Sequence, residues 1–250
     1  MLKERIVHAL LLFYYSIYVK KDFCGGDEMG DIAAMKKFDA VVFDMDGVIF
    51  DSERATMYCW IELAEKYGIE GIEKPYLECT GTNDAKTREI MMNAYGPDFP
   101  YDEYAKEASK MYHEKYDGGR LPMKIGVFEI LDFLKNNGKK IALASSTRRQ
   151  TVVNQLRDAK ILDYFDEIVT GDMVSKSKPE PDIFLLACEK IGVAPENAYA
   201  IEDSFNGIRA AHRGGLHPIM VPDLLPADDE MKQLSEAVLD SLNDVVIYLN

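Results

Sequence analysis

Cations are in short supply in this chain: 29 lysines and arginines face 43 aspartates and glutamates, a formal charge of −14. A surface of that sign repels phosphate backbones, so nucleic acid is excluded as an expected partner. It repels small phosphorylated molecules too, and a pocket for one must supply its own local cations. Cysteine and histidine are also sparse, four of each. Cys24, Cys59, Cys79 and Cys188 form no C-x-x-C and have no histidine at ligand spacing. Neither a disulfide framework nor a zinc site is therefore expected, and reduced thiols suit a cytoplasmic protein. His8, His113, His212 and His217 make no motif and are read as structural or solvated.

Internal repeats and low-complexity tracts are missing, and so is a long apolar run. The nearest to one, residues 6–19 (IVHALLLFYYSIYV), covers 14 positions between basic flanks. A spanning helix wants about 18 or more, and no A-x-A-like cleavage site follows; no membrane partner is expected. The string GGDEM at residues 25–29 reads like a translated ribosome-binding site. Residues 1–35 are accordingly expected to be an extension produced by an over-long gene assignment.

With 47% apolar residues the rest can bury a real core. Short apolar runs at residues 40–43 (AVVF), 140–144 (KIALA), 167–170 (EIVT), 198–201 (AYAI) and 218–221 (PIMV) read as buried strands. Amphipathic stretches at 127–137, 148–159, 181–191 and 205–213 alternate with them as helices. That alternation predicts an α/β fold, a Rossmann-like parallel sheet with helices on both faces. Residues 52–121 break the pattern. They hold helical segments at 53–67, 84–95 and 102–116 and no good strand, which predicts an inserted α-helical cap between core segments 36–51 and 122–250.

In such sheets function collects at the carboxyl ends of the strands. Asp44-Met45-Asp46-Gly47 follows the first strand. One carboxylate can attack phosphorus as a nucleophile, and its neighbour two positions on can act as general acid and base. The plain alternative is an acidic loop capping the next helix. Ser145, Ser146 and Thr147 follow the second strand and could bind phosphate or simply cap a helix. Lys178 follows the third, either as solvated surface or as a cation that neutralises phosphate and nucleophile. Glu202 and Asp203 follow the fourth. Four carboxylates in one crevice need a cation, and all-oxygen ligation favours Mg²⁺. Each signal is weak alone; their common position and order make the case.

The stretches DMDGVIFDSE (44–53), ALASSTRR (142–149), KPEPDIF (178–184) and IEDSFNGIRAA (201–211) resemble, in order, the four motifs of the haloacid dehalogenase superfamily of phosphatases and phosphomutases, in its β-phosphoglucomutase-like branch. The resemblance implies Asp44 as nucleophile and Asp46 as acid/base, with Ser145 and Lys178 holding the phosphoryl group beside Ser146. It also implies Mg²⁺ bound by the Asp44 carboxylate, the Asp46 backbone carbonyl and Asp203, with Glu202 in or next to the shell. A cap would close over the substrate on two hinges near residues 50–52 and 121–125. Two departures stand out. Thr56 occupies the place of a gating histidine of the mutases, and Asn83 stands near that of an arginine that grips a distal phosphate, with Arg88 a candidate substitute. Both losses favour hydrolysis over mutase chemistry. The expected substrate is a small phosphorylated metabolite such as a sugar phosphate, and the expected state a monomer. A phosphomutase is the first alternative and a non-catalytic phospho-receiver the second. The receiver leaves the cap and the second acid unexplained. A true dehalogenase has no leaving alcohol for Asp46 to protonate.

Overall fold

The computed structural model describes residues 37–80 and 84–250. The expected N-terminal extension and the cap-loop residue Asn83 lie outside the described residues. In chain order the elements begin with β1 (Ala40–Phe43), then α1 (Ser52–Tyr67), α2 (Glu73–Cys79), α3 (Asp84–Tyr95) and α4 (Tyr101–Tyr116). There follow α5 (Val127–Asn136), β2 (Lys140–Ser145), α6 (Arg149–Asp158), β3 (Glu167–Thr170), α7 (Asp182–Ile191) and β4 (Ala198–Glu202). The chain ends with α8 (Phe205–Arg213), β5 (His217–Met220), α9 (Asp229–Leu234), β6 (Ala237–Val238) and α10 (Leu242–Leu249).

The six strands pair in parallel in the order β3-β2-β1-β4-β5-β6. Residues 237–238 and the helices α2, α9 and α10 were not expected from the sequence. A two-residue edge strand carries too little pattern to be read without its partner. Successive strand residues face opposite sides, and the two sides differ in size. Val41, Phe43, Ile141, Leu143, Ile201 and Ile219 pack with Ile130, Leu134, Val152, Leu156 and Val245 of α5, α6 and α10. On the other face Ala40, Val42, Ala142, Ala144, Ala198 and Ala200 meet Ile183, Phe184, Ala187, Ala210 and Ala211 of α7 and α8. Alanine on that face lets two helices approach the sheet closely. Because the strands are parallel, the carboxyl ends of β1, β2, β3 and β4, which the motifs follow, open on one edge.

Helices α1 to α4, between β1 and α5, have a core of their own. The lone Trp60 sits at its centre, with ring centroids 5.1 Å from Tyr104, 5.7 Å from Tyr76 and 6.3 Å from Tyr101. The Tyr104 hydroxyl donates to the Trp60 carbonyl at 2.6 Å, and Leu63, Ile72, Met91 and Ala108 complete the cluster. Gly68 ends α1 at φ 66°, a left-handed turn that costs glycine nothing. Among the described residues no helix is long and apolar enough to cross a membrane.

Candidate active site

Burial inside a parallel sheet brings charges together that the sequence keeps more than 150 positions apart. Asp44 leaves β1 and Glu202 ends β4, and β1 and β4 are neighbours. Lys178, before α7, reaches between them. Its ammonium donates to Asp44 Oδ1 at 2.5 Å, to Glu202 Oε1 at 2.6 Å and to the Ala144 carbonyl at 3.1 Å. Side-chain exposure is 8% for Lys178, 9% for Asp44 and zero for Glu202. Burial alone would lower the Lys178 pKa, but Asp44 and Glu202 outweigh it and hold the ammonium above its ordinary value. One cation does not balance the cluster. Asp44 is pushed well above the usual carboxylate range by burial, against the pull of Lys178 and with Glu202 and Asp46 adding to the rise. Asp203 is raised the same way, by burial and then by Glu202, Asp44, Glu53 and Asp223.

Asp44, Glu202 and Asp203 each offer an oxygen within 4.8 Å of the others. Three carboxylates against one ammonium leave a deficit of positive charge, and the donors are all hard oxygens; the residues fit Mg²⁺. Glu202 is the most committed elsewhere: its Oε2 accepts from the Asp203 and Ser204 amides, both at 3.0 Å, and from Ser204 Oγ at 2.9 Å. Two glycines make room. A Cβ on Gly47, whose φ is +80°, would lie 2.2 Å from Asp203 Oδ2, and one on Gly207 would lie 1.8 Å from the Glu202 carboxylate. Neither carboxylate could keep its place beside a side chain there.

Asp46 does not join this cluster through its carboxylate. Ser52 Oγ donates to its Oδ1 at 2.7 Å and Thr147 Oγ1 to its Oδ2 at 2.9 Å. Ser145 is fully buried and its Oγ accepts from the Thr147 amide at 3.1 Å, while Ser146 is exposed to the cleft. Asp44, Asp46, Ser146, Thr147, Lys178 and Asp203 line a cleft of about 760 Å³.

The chain matches the family model for haloacid dehalogenase-like hydrolases over residues 41–221. It belongs to that family. Within it the chain falls in the β-phosphoglucomutase-like branch of phosphatases and phosphomutases. It is 34% identical over 185 residues to a phosphorylated carbohydrates phosphatase of Thermotoga maritima, covering 72% of this chain and 83% of that protein. It is 32% identical over 215 residues to a β-phosphoglucomutase of Bacillus subtilis, covering 82% and 94%. A crystal structure of CbbY from Rhodobacter sphaeroides with phosphate superposes with a TM-score of 0.64 at 26% identity, covering 83% of this chain and 96% of that one.

In this haloacid dehalogenase-like hydrolase, tertiary packing decides which helical residues face the cleft from the cap side. Thr56 does not gate it: its hydroxyl donates to the Ser52 carbonyl of the same helix at 2.9 Å. Arg88, the candidate substitute for a cap-loop arginine, is not among the described residues that line the cleft. Its guanidinium pairs with Asp102, at 3.0 Å through Nη1, and lies 4.7 Å from the Tyr101 ring centroid. Among the described residues, the cap lines the cleft with Glu53, Thr80 and Lys86. Thr80 Oγ1 is buried with no hydrogen-bond partner among the described residues. Glu53 is the acid that the D-S-E string held in plain view; helix phase alone did not say which way it faced. Burial, then Asp46 and Asp223, push its pKa from 4.5 up to about 7.

That shift has a sign for stability. A carboxyl raised in the folded state contributes most below its unfolded pKa and loses that contribution as pH climbs through the folded value, here from 4.5 to about 7. Metal-free Glu53→Gln should therefore match the wild type near about pH 4 and exceed it by at most about 3 kcal/mol near about pH 8. Urea unfolding of both proteins across that range measures it; parallel pH profiles would refute the assignment.

Proposed function

We propose that this enzyme is a Mg²⁺-dependent phosphatase that hydrolyses a small phosphorylated metabolite, a sugar phosphate, through an aspartyl phosphate on Asp44. The observation that carries the reading is the buried Asp44–Lys178–Glu202 chain beside Asp203, at the mouth of a cleft that also holds Asp46. A buried nucleophile paired to a cation, an acid two residues on and an unbalanced oxygen cluster are what phosphoryl transfer through a carboxylate requires. The T. maritima carbohydrate-phosphate phosphatase supports the substrate class.

In this reading Asp44 attacks phosphorus, the P–O bond to the alcohol breaks, and Asp46 gives its proton to the departing oxygen. Asp46 then takes a proton from the water that attacks the aspartyl phosphate, releasing inorganic phosphate and freeing Asp44. Lys178 neutralises the phosphoryl group, and Ser145 and Ser146 hold its oxygens with hydroxyl and amide donors. Asp44, Asp203 and the Asp46 carbonyl would hold Mg²⁺, with Glu202 beside them. The ion supplies positive charge for the phosphoryl oxygens and relieves the carboxylate repulsion. The cap, residues 52–121 between core segments 36–51 and 122–250, excludes water. We also place the enzyme in the cytoplasm as a monomer; Cys59, Cys79 and Cys188 are buried thiols, which suits a reducing compartment.

A phosphomutase is the second reading, favoured by the likeness to the B. subtilis enzyme and by Lys86, a cap cation on the cleft. Thr56 and Arg88, both turned to partners within the cap, favour hydrolysis. The test is phosphate release with Mg²⁺ from glucose 6-phosphate, ribose 5-phosphate and β-glucose 1-phosphate, the last with and without its bisphosphate. Release that stops with chelator and returns with Mg²⁺ is expected. Conversion of β-glucose 1-phosphate to the 6-phosphate without release would establish the mutase instead.

A further inference from the structure

The chain crosses between sheet and cap twice, and the crossings run side by side. The Asp51 amide donates to the Pro122 carbonyl and the Lys124 amide to the Ile49 carbonyl, both at 2.9 Å, with an antiparallel bridge between Phe50 and Met123. Just past β5 stands Asp223, whose side chain has no exposure at all. Its Oδ1 accepts from Lys124 of the return crossing at 2.7 Å and from Arg54 in the first turn of α1 at 3.3 Å. Asp51 meets the same two cations, Lys124 at 3.4 Å and Arg54 at 3.5 Å. Four charges thus tie both crossings to the end of a core strand. Enclosed by them in sequence, between Asp51 and Arg54, lies Ser52, the residue that donates to Asp46 Oδ1 at 2.7 Å.

We propose that Asp223 is a positioning residue for the reaction: it clamps both crossings of the cap and thereby holds Ser52 against the acid/base Asp46. The proposal rests on the phosphatase reading only where activity is concerned. Nothing in the proposed chemistry uses Asp223, yet a fully buried carboxylate with two cationic partners is expensive to keep. Its second oxygen is buried with no hydrogen-bond partner among the described residues, so packing or hydrogen-bond satisfaction alone does not explain the residue. The clamp does, because its two cations lie on the two segments that must move together if the cap moves.

A misplaced acid slows the first step, transfer to Asp44, only when the leaving group needs its proton. A sugar alkoxide does; p-nitrophenolate departs without one. The later attack of water on the aspartyl phosphate is common to all substrates, so the comparison is made on kcat/KM, which reports the first step. In Asp223→Asn, kcat/KM for the fastest-hydrolysed sugar phosphate of the panel should fall by about 10-fold or more, and kcat/KM for p-nitrophenyl phosphate should stay within about 3-fold. Amide hydrogen exchange in residues 51–55 and 121–125 should quicken by about 10-fold while strands β1 and β4 keep their protection. Lys124→Met, which removes a partner that is 21% exposed, should show the same two signatures and serves if the Asp223 variant does not fold. Equal losses of kcat/KM on both substrates, or unchanged exchange at the two crossings, would overturn the clamp. A wild-type enzyme that releases no phosphate would sink the phosphatase reading and the acid-positioning role, while the exchange result would still decide whether the crossings are clamped.

Discussion

Asp44→Asn is expected to remove phosphate release almost completely, by roughly 10⁴–10⁶-fold, the scale of loss when a covalent nucleophile is deleted. The amide nitrogen or oxygen cannot attack phosphorus as a carboxylate does, and the volume is unchanged. Stability should not follow activity down. Asp44 is one of three carboxylates crowded around a single ammonium, and burial already holds it well above the ordinary range. Making it neutral relieves the repulsion, while Lys178 keeps Glu202 at 2.6 Å. The metal-free variant should melt at or above the wild-type temperature. Phosphate release and a thermal melt on the same preparation give both numbers. Appreciable turnover would place the nucleophile elsewhere; a large fall in melting temperature would show that Asp44 is charged and stabilising in the resting protein.

Lys178→Met has the opposite signature. It leaves Asp44 and Glu202 buried with no counter-charge, and breaking a buried pair by removing one partner costs about 3–5 kcal/mol. The contact of the ammonium with the Phe184 ring, 5.0 Å to the centroid, is lost as well. For a chain of this size the melting temperature should fall by about 6–20 °C. Mg²⁺ should recover more of that loss in the variant than it adds to the wild type, because the ion then becomes the cluster's sole cation. Phosphate release should be lost too, since phosphoryl group and nucleophile would meet without a neutralising charge. Melting curves with chelator and with Mg²⁺ test the stability arm; equal melting temperatures for variant and wild type would mean that the Lys178 ion pairs add nothing to stability.

The cap shows where reading from the sequence stops. The helical spans at 84–95 and near 53–67 and 102–116 follow from periodicity and glycine stops, and the structure has helices at Asp84–Tyr95, Ser52–Tyr67 and Tyr101–Tyr116. Which residue of each helix meets the cleft was not legible. Arg88 and Lys86 lie on the same helix two positions apart, and only the placement of Asp102 decides that Arg88 turns away. Likewise Ser52 and Thr147 both look like helix-start residues, yet their hydroxyls grip Asp46 from two different elements.

By itself, the sequence determined the kind of fold and the order of the chemistry along it. Apolar runs alternating with amphipathic stretches allow little but a covered parallel sheet, and that sheet sends each motif to the same edge. The tertiary structure decided who pairs with whom. It set Lys178 between Asp44 and Glu202, turned Glu202 toward the loop amides, and placed Asp223 where it reaches both cap crossings. The physical reason is that periodicity is local, whereas the strength of a charge pair depends on distance and burial, which only the packing of remote segments sets.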